Sequence, residues 1–96
     1  MRFGNNVAAR GWDDLCSSAP NNARSAWERI TEDPRRWDGR QKPLQSSYER
    51  AHINGIQMEH WQYEVTSGGR IWYCIDDAKQ TVWVTHAGTG HPKATE

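Results

Sequence analysis

The sequence predicts an α+β fold in two layers: an N-terminal helical hairpin packed on a small antiparallel β-sheet. Three observations predict it. Up to about residue 31 the apolar side chains recur every three or four positions, which is the period of a helix. From about residue 48 onwards they alternate, which is the period of a strand. The chain has 96 residues, enough for one domain spanning 1–96 and too few for a second of ordinary size.

The first helix is expected from Asn5 to about Ala19, with Val7, Ala8, Trp12, Leu15, Cys16 and Ala19 along one face. Pro20-Asn21-Asn22 should stop it, and Asn21 or Asn22 is a ready N-cap for the next helix. That second helix should run to about Thr31, with Ala23, Ala26, Trp27 and Ile30 facing inwards. Asp33-Pro34 ends it, because the residue before a proline avoids helical geometry. A polar, basic link follows, carrying Arg35, Arg36, Arg40 and Lys42. Strands are then expected at 48–53, 56–66, 70–75 and 81–86. They are joined by Asn54-Gly55, a strong hairpin turn, by Ser67-Gly68-Gly69 and by Asp76-Asp77-Ala78-Lys79. Met1 to Asn5 has room for a short edge strand, although nothing in the sequence requires one.

Alternation also sorts the strand side chains by face. Trp61, Tyr63, Val65, Ile71, Tyr73, Ile75, Val82 and Val84 form the apolar set that the helices should cover. His60, Gln62, Glu64, Arg70, Trp72 and Trp83 fall on the opposite face, where charges, an imidazole and flat aromatic rings come together.

Composition fits this thin core. Leu, Ile, Val and Phe supply only 12 residues, while six Trp and three Tyr bring large buriable areas of their own. Twelve basic residues balance twelve acidic ones, so no global charge attracts nucleic acid. Residues 1–48 carry 8 basic and 6 acidic groups and residues 49–96 carry 4 and 6, a mildly basic half followed by a mildly acidic one. No run approaches 18 apolar residues, and Met-Arg-Phe-Gly-Asn-Asn has no apolar stretch of the signal-peptide kind, so a cytoplasmic chain is expected. Cys16 and Cys74 fit no CxxC spacing and read as two reduced thiols. The four His match no common zinc spacing, so neither a metal nor another cofactor is expected.

From Trp61 to Glu96 the chain reads WQYEVTSGGRIWYCIDDAKQTVWVTHAGTGHPKATE. Its most specific part is Gly69-Arg70-Ile71-Trp72-Tyr73, then a further strand and His91 near the C-terminus. This run resembles the C-terminal half of a RelE/ParE-superfamily toxin, and the preceding two helices and basic link ending in Lys42-Pro43-Leu44 are similar to that family too. The resemblance implies a RelE/ParE-like two-layer fold and a cytosolic bacterial toxin of a type II toxin–antitoxin system, held inactive by a cognate antitoxin protein. Ribonuclease members cut mRNA in the ribosomal A site without a metal. ParE members poison DNA gyrase and lack the ribonuclease residues. Arg70 and His91 stand where the ribonucleases carry an Arg opening a strand and a His or Tyr near the C-terminus. Several of those members carry two basic residues on the preceding strand. The face pattern puts those positions at Gln62 and Glu64, so the basic pair is absent.

Cleaving RNA through its 2′-OH needs a base for that proton, an acid for the leaving 5′ oxygen and a cation for the charged phosphorane. Glu64 or His91 can serve as base, and His91 alternatively as acid. Arg70 would grip the phosphate and stabilise charge in the transition state. Trp72 or Trp83 would stack a base. Arg35, Arg36, Arg40 and Lys42, with Gln62, would hold the RNA without reading its sequence. Plainer readings stand beside each role. Arg70 can simply pair with Glu64 across the hairpin, and the two Trp can form an exposed patch that binds the antitoxin. The expectation is therefore an mRNA endoribonuclease acting on the ribosome. The alternative is a non-nucleolytic ParE-like toxin, or an inactive RelE-fold binding protein, working through protein–protein contact.

Overall fold

A computed structural model describes residues 1–90, without the side chain of Ser46. Along the chain run β1 (Arg2–Phe3), α1 (Asn6–Ser18), α2 (Pro20–Glu32), β2 (Gln41–Pro43), β3 (Arg50–Ile53), β4 (Ile56–Glu64), β5 (Arg70–Asp76) and β6 (Thr81–Gly88). The fold is α+β: two helices on a mixed sheet of six strands.

Helix α1 starts where its sequence signal lies, with Asn5 Oδ1 accepting the Ala8 N–H at 2.7 Å. The junction to α2 is tighter than expected. Ala19 donates its N–H to the Leu15 carbonyl to close α1, and its own carbonyl accepts from Ala23 to open α2. Pro20 occupies the first helical position, where its missing N–H costs nothing. Asn21 and Asn22 therefore lie inside the helix instead of capping it, and Asn22 Nδ2 reaches across to the Val65 carbonyl. Trp12 and Trp27 meet at 5.3 Å between ring centroids and tie the two helices together.

The buried stripe of α1 is Ala8, Gly11 and Leu15, and that of α2 is Ala23, Ala26 and Ile30. Val7 and Cys16, expected inwards, are exposed because they flank this narrow stripe. All eight strand residues expected beneath the helices belong to the core: Trp61, Tyr63, Val65, Ile71, Tyr73, Ile75, Val82 and Val84.

The sheet runs β1-β6-β5-β4, and the outer edge of β4 is shared by β3 along its first half and β2 along its second. The expected antiparallel sheet is corrected to a mixed one, because β1 lies parallel to β6 and Gly4 N donates to the Val84 carbonyl at 2.8 Å. The helical hairpin and four other strands separate these two in sequence, so no tight turn forces them antiparallel. Strand β2 forms within the expected basic link. Asp38 Oδ1 accepts the N–H groups of both Arg40 and Gln41, turning the chain onto the edge of β4. Residues 46–48 form a single 3-10 turn, so β3 begins at Arg50 rather than Tyr48. Asn54 and Gly55, at φ 52° and 79°, form the expected hairpin turn between β3 and β4.

Candidate functional site

The helix-free face of β4, β5 and β6 is a lattice of three rungs set by register. His60, Cys74 and Trp83 form the first, Gln62, Trp72 and His86 the second, and Glu64, Arg70 and Gly88 the third. Gln62 and Glu64 thus share the face of Arg70, as the alternation requires. A bulge in β6 builds the second rung: Trp72 pairs with His86 but Tyr73 with Val84, so Thr85 is the extra residue. Without it His86 would continue the inward set of Val82 and Val84. The bulge turns the imidazole onto the helix-free face and sends Ala87 into the core.

This face is covered, not open. The segment between β2 and β3 folds over it, so that Tyr48 packs on Trp72 at 5.5 Å. The Trp72 ring also meets His60 at 5.5 Å, edge-on, and His86 at 5.6 Å. Its Nε1 donates to Gln62 Oε1 at 2.9 Å. His60 Nδ1 donates to the Tyr48 carbonyl at 2.8 Å, since a carbonyl only accepts. The neutral Nε2 is then left to accept from Thr85 Oγ1 at 2.7 Å. Burial lowers the titration of both His60 and His86 below the ordinary imidazole value, and it raises the Cys74 thiol to about 11.

Arg70 is 6% exposed, and its Nη1 donates to the carbonyls of Thr66, Ser67 and Gly69 at 2.9, 3.2 and 3.0 Å. These bonds anchor the guanidinium to the β4–β5 turn rather than to Glu64. Glu64 is directly opposite, half-buried and in no ion pair among the described residues. Three nitrogens on this face, Arg70 Nε, His86 Nε2 and Trp83 Nε1, are buried and lack a hydrogen-bond partner among the described residues. Buried polar atoms without partners are rare in folded proteins. Here there is one on each rung.

The remaining expected site residues divide. Arg40 lies at the Glu64 end of the face, with Nη1 donating to the Glu64 and Val65 carbonyls at 3.1 and 3.5 Å. Lys42 is exposed on β2 opposite the buried Gln62. Arg36 sits in the exposed turn before β2, its N–H donating to the Asp33 carbonyl. Arg35 is elsewhere: it binds Glu59 at 2.6 Å and Asp77 at 2.7 Å. Asp77 follows the last residue of β5 while Arg70 is its first, so the two arginines sit about 20 Å apart along the strand direction. Bonds to Asp77 and Glu59 push the Arg35 titration up and hold both carboxyls low, which leaves its charge committed. Trp72, expected as a base-stacking platform, is buried beneath Tyr48, and Trp83 is half-buried. His91 lies outside the described residues.

Thr85, Tyr48 and His86 join the face without having been expected on it, while His60 lies on it as the alternation requires. Nothing in their residue types marks the bulge or the covering segment that brings them together. Among the described residues, no group of three His, Cys, Asp or Glu is placed to hold a metal, and no helix is long and apolar enough to cross a membrane. In comparisons of the sequence, no family model matches the chain and no curated protein matches it.

Proposed function

We propose that the chain is a RelE-type toxin of a type II toxin–antitoxin system: a metal-independent, ribosome-dependent endoribonuclease that cleaves mRNA in the cytoplasm and is neutralised by a cognate antitoxin. The observation that carries this reading is the unpartnered Arg70 Nε directly across the ladder from Glu64, which is in no ion pair among the described residues, with the unpartnered nitrogens of His86 and Trp83 on the next two rungs. Two of the three nitrogens are N–H donors suited to phosphate oxygens, and the carboxylate is an acceptor for the 2′-OH proton. Glu64 takes that proton as the 2′ oxygen attacks phosphorus, and Arg70 holds the phosphorane charge. His91 returns a proton to the departing 5′ oxygen, leaving a 2′,3′-cyclic phosphate. The path of the chain supports the finer RelE/ParE-like assignment: a short first strand beside the last, a helical hairpin and a meander whose third strand in sequence from β3 opens with Arg70.

A second reading has its own support. Trp72 and Gln62 are buried and bonded to each other, and Arg35 is neutralised, so three of the expected RNA contacts are not free to bind RNA. A ParE-like toxin or an inactive RelE-fold protein acting by protein contact, on gyrase for example, needs neither. Expression of the wild type, Arg70→Ala and His91→Ala, with growth and mRNA 5′ ends mapped in cells, separates the two. New 5′ ends that vanish in both variants are expected. Growth arrest without new 5′ ends overturns the ribonuclease reading in favour of the second.

A further inference from the structure

A polar cleft of about 380 Å³ opens on the other side of the sheet edge, between α2 and the turn before β2. Asn22, Ser25 and Arg29 enter it from α2, spaced to share one helical face, with Asp38 and Arg40 from the turn and Tyr63 from β4. The Tyr63 side chain is anchored in the core, the residue being 3% exposed. Its hydroxyl receives no hydrogen bond from a described residue and is not among the sealed polar atoms, so it is available to the cleft. Burial pushes its titration up while Arg29 and Arg40 pull against it, so it remains a protonated donor beside two guanidinium groups. Arg40 is held in place by its bonds to the Glu64 and Val65 carbonyls. Arg29 makes no ion pair among the described residues. The one carboxylate, Asp38, already accepts two backbone N–H groups through Oδ1. Two cations against one anion leave a single positive charge, matched to one phosphodiester.

We propose that this cleft is a phosphate-binding site, in which Arg29 and Arg40 donate to the phosphate oxygens and the Tyr63 hydroxyl adds a third donor. Guanidinium forks suit a tetrahedral oxyanion, and the volume admits a phosphate carrying a substituent up to the size of a nucleoside. The shared chemistry is a phosphate ester, supplied either by a free mononucleotide or by an internal phosphodiester of a nucleic-acid strand. Arg70 faces the opposite side of the sheet, so the cleft is separate from the Arg70–Glu64 pair, and Arg40 alone of its three donors was also expected to hold the RNA.

The test is calorimetric titration of the full chain, at low salt, with inorganic phosphate, a nucleoside 5′-monophosphate, the unphosphorylated nucleoside, and a short single-stranded RNA lacking terminal phosphates. Saturable binding of a phosphate-bearing probe is expected at millimolar affinity or tighter, with none for the nucleoside. Arg29→Gln, an exposed substitution, should weaken it roughly tenfold or more, as the loss of a charge-assisted bond does. Tyr63→Phe keeps the ring and should weaken binding by a smaller factor. Tighter binding of the monophosphate assigns the free ester, and tighter binding of the RNA assigns the strand. No saturable binding of any phosphate-bearing probe overturns the proposal. So does binding that is indifferent to both Arg29→Gln and Tyr63→Phe.

Discussion

Gly11 is the position where α1 comes closest to the sheet: a Cβ there would lie 1.6 Å from the Ala87 carbonyl oxygen. Alanine would gain about 1 kcal/mol of helix propensity over glycine. The clash is backbone on backbone, which no rotamer relieves, and overpacking of this kind costs roughly 1–3 kcal/mol and sometimes more. Gly11→Ala should therefore lower the urea midpoint, whereas an unchanged or higher midpoint would show that α1 can lift off β6 at no cost. The two thiols differ in the same local way. Cys16 is exposed, while Cys74 is buried with its titration raised to about 11. A thiol reagent at neutral pH should modify Cys16 first and reach Cys74 only on unfolding. Glu64 makes the sharpest test of chemistry, since its carboxylate is in no ion pair and the fold does not lean on it. Glu64→Gln should leave the thermal midpoint nearly unchanged while cutting mRNA cleavage by about 10²–10⁴-fold, the usual range for a lost general base. Full cleavage by a folded Glu64→Gln protein would remove Glu64 from that role.

Among the elements, those built on local pattern were legible and those built on long-range pairing were not. Both helices, the hairpin turn at Asn54-Gly55 and the inward strand residues follow from periodicity and turn chemistry. The parallel seat of β1 depends on where the helical hairpin and the strands after it bring β6, and Arg2 and Phe3 carry no sign of it. The bulge at Thr85 is one residue of slip in a strand that reads as regular, yet it decides that His86 joins the candidate site. The segment between β2 and β3 looks like a plain connection and turns out to cover Trp72. Its hold can be tested at Tyr48, whose ring packs on Trp72 at 5.5 Å and whose backbone carbonyl accepts from His60. Tyr48→Ala keeps the carbonyl and removes the ring, with an expected loss of about 0.5–1.5 kcal/mol from the aromatic pair beyond the buried area. Trp72 should then become accessible to an aqueous quencher, with red-shifted emission assigned by difference against Trp72→Phe. Unaltered quenching would mean that the segment covers the face without Tyr48.

At the scale of the whole molecule, the sheet is buried on both faces, and this explains how a chain so poor in aliphatic residues folds. Trp61 sits in the helix-side core, Trp12 and Trp27 join the helices, and Trp72 anchors a second layer with Tyr48 and two imidazoles. Only Trp37, 73% exposed, stands outside, its ring edge-on to Trp61. The second layer gives stability a dependence on pH that an all-aliphatic core would lack. His60 and His86 are both held below the ordinary value of 6.5, chiefly by burial, so between their native values and 6.5 the unfolded chain binds more protons than the native one. Stability is then complete above about pH 6.5 and falls as the pH falls, with a slope of up to about 1.4 kcal/mol per pH unit for each histidine. Protonating His60 also makes Nε2 a donor, so the Thr85 hydroxyl must turn from donating to accepting. The carboxyls held low by hydrogen bonds and ion pairs, Asp38, Glu59 and Asp77, start from 3.8 to 4.5 and act only in stronger acid. The urea midpoint should therefore drop between pH 7 and pH 5. His86→Gln should shallow that drop, because the buried Nε2 of His86 has no bond to lose. A midpoint flat across this range, or a slope that His86→Gln leaves untouched, would show that the second layer admits protons or water freely and that its histidines are not sealed by the segment above them.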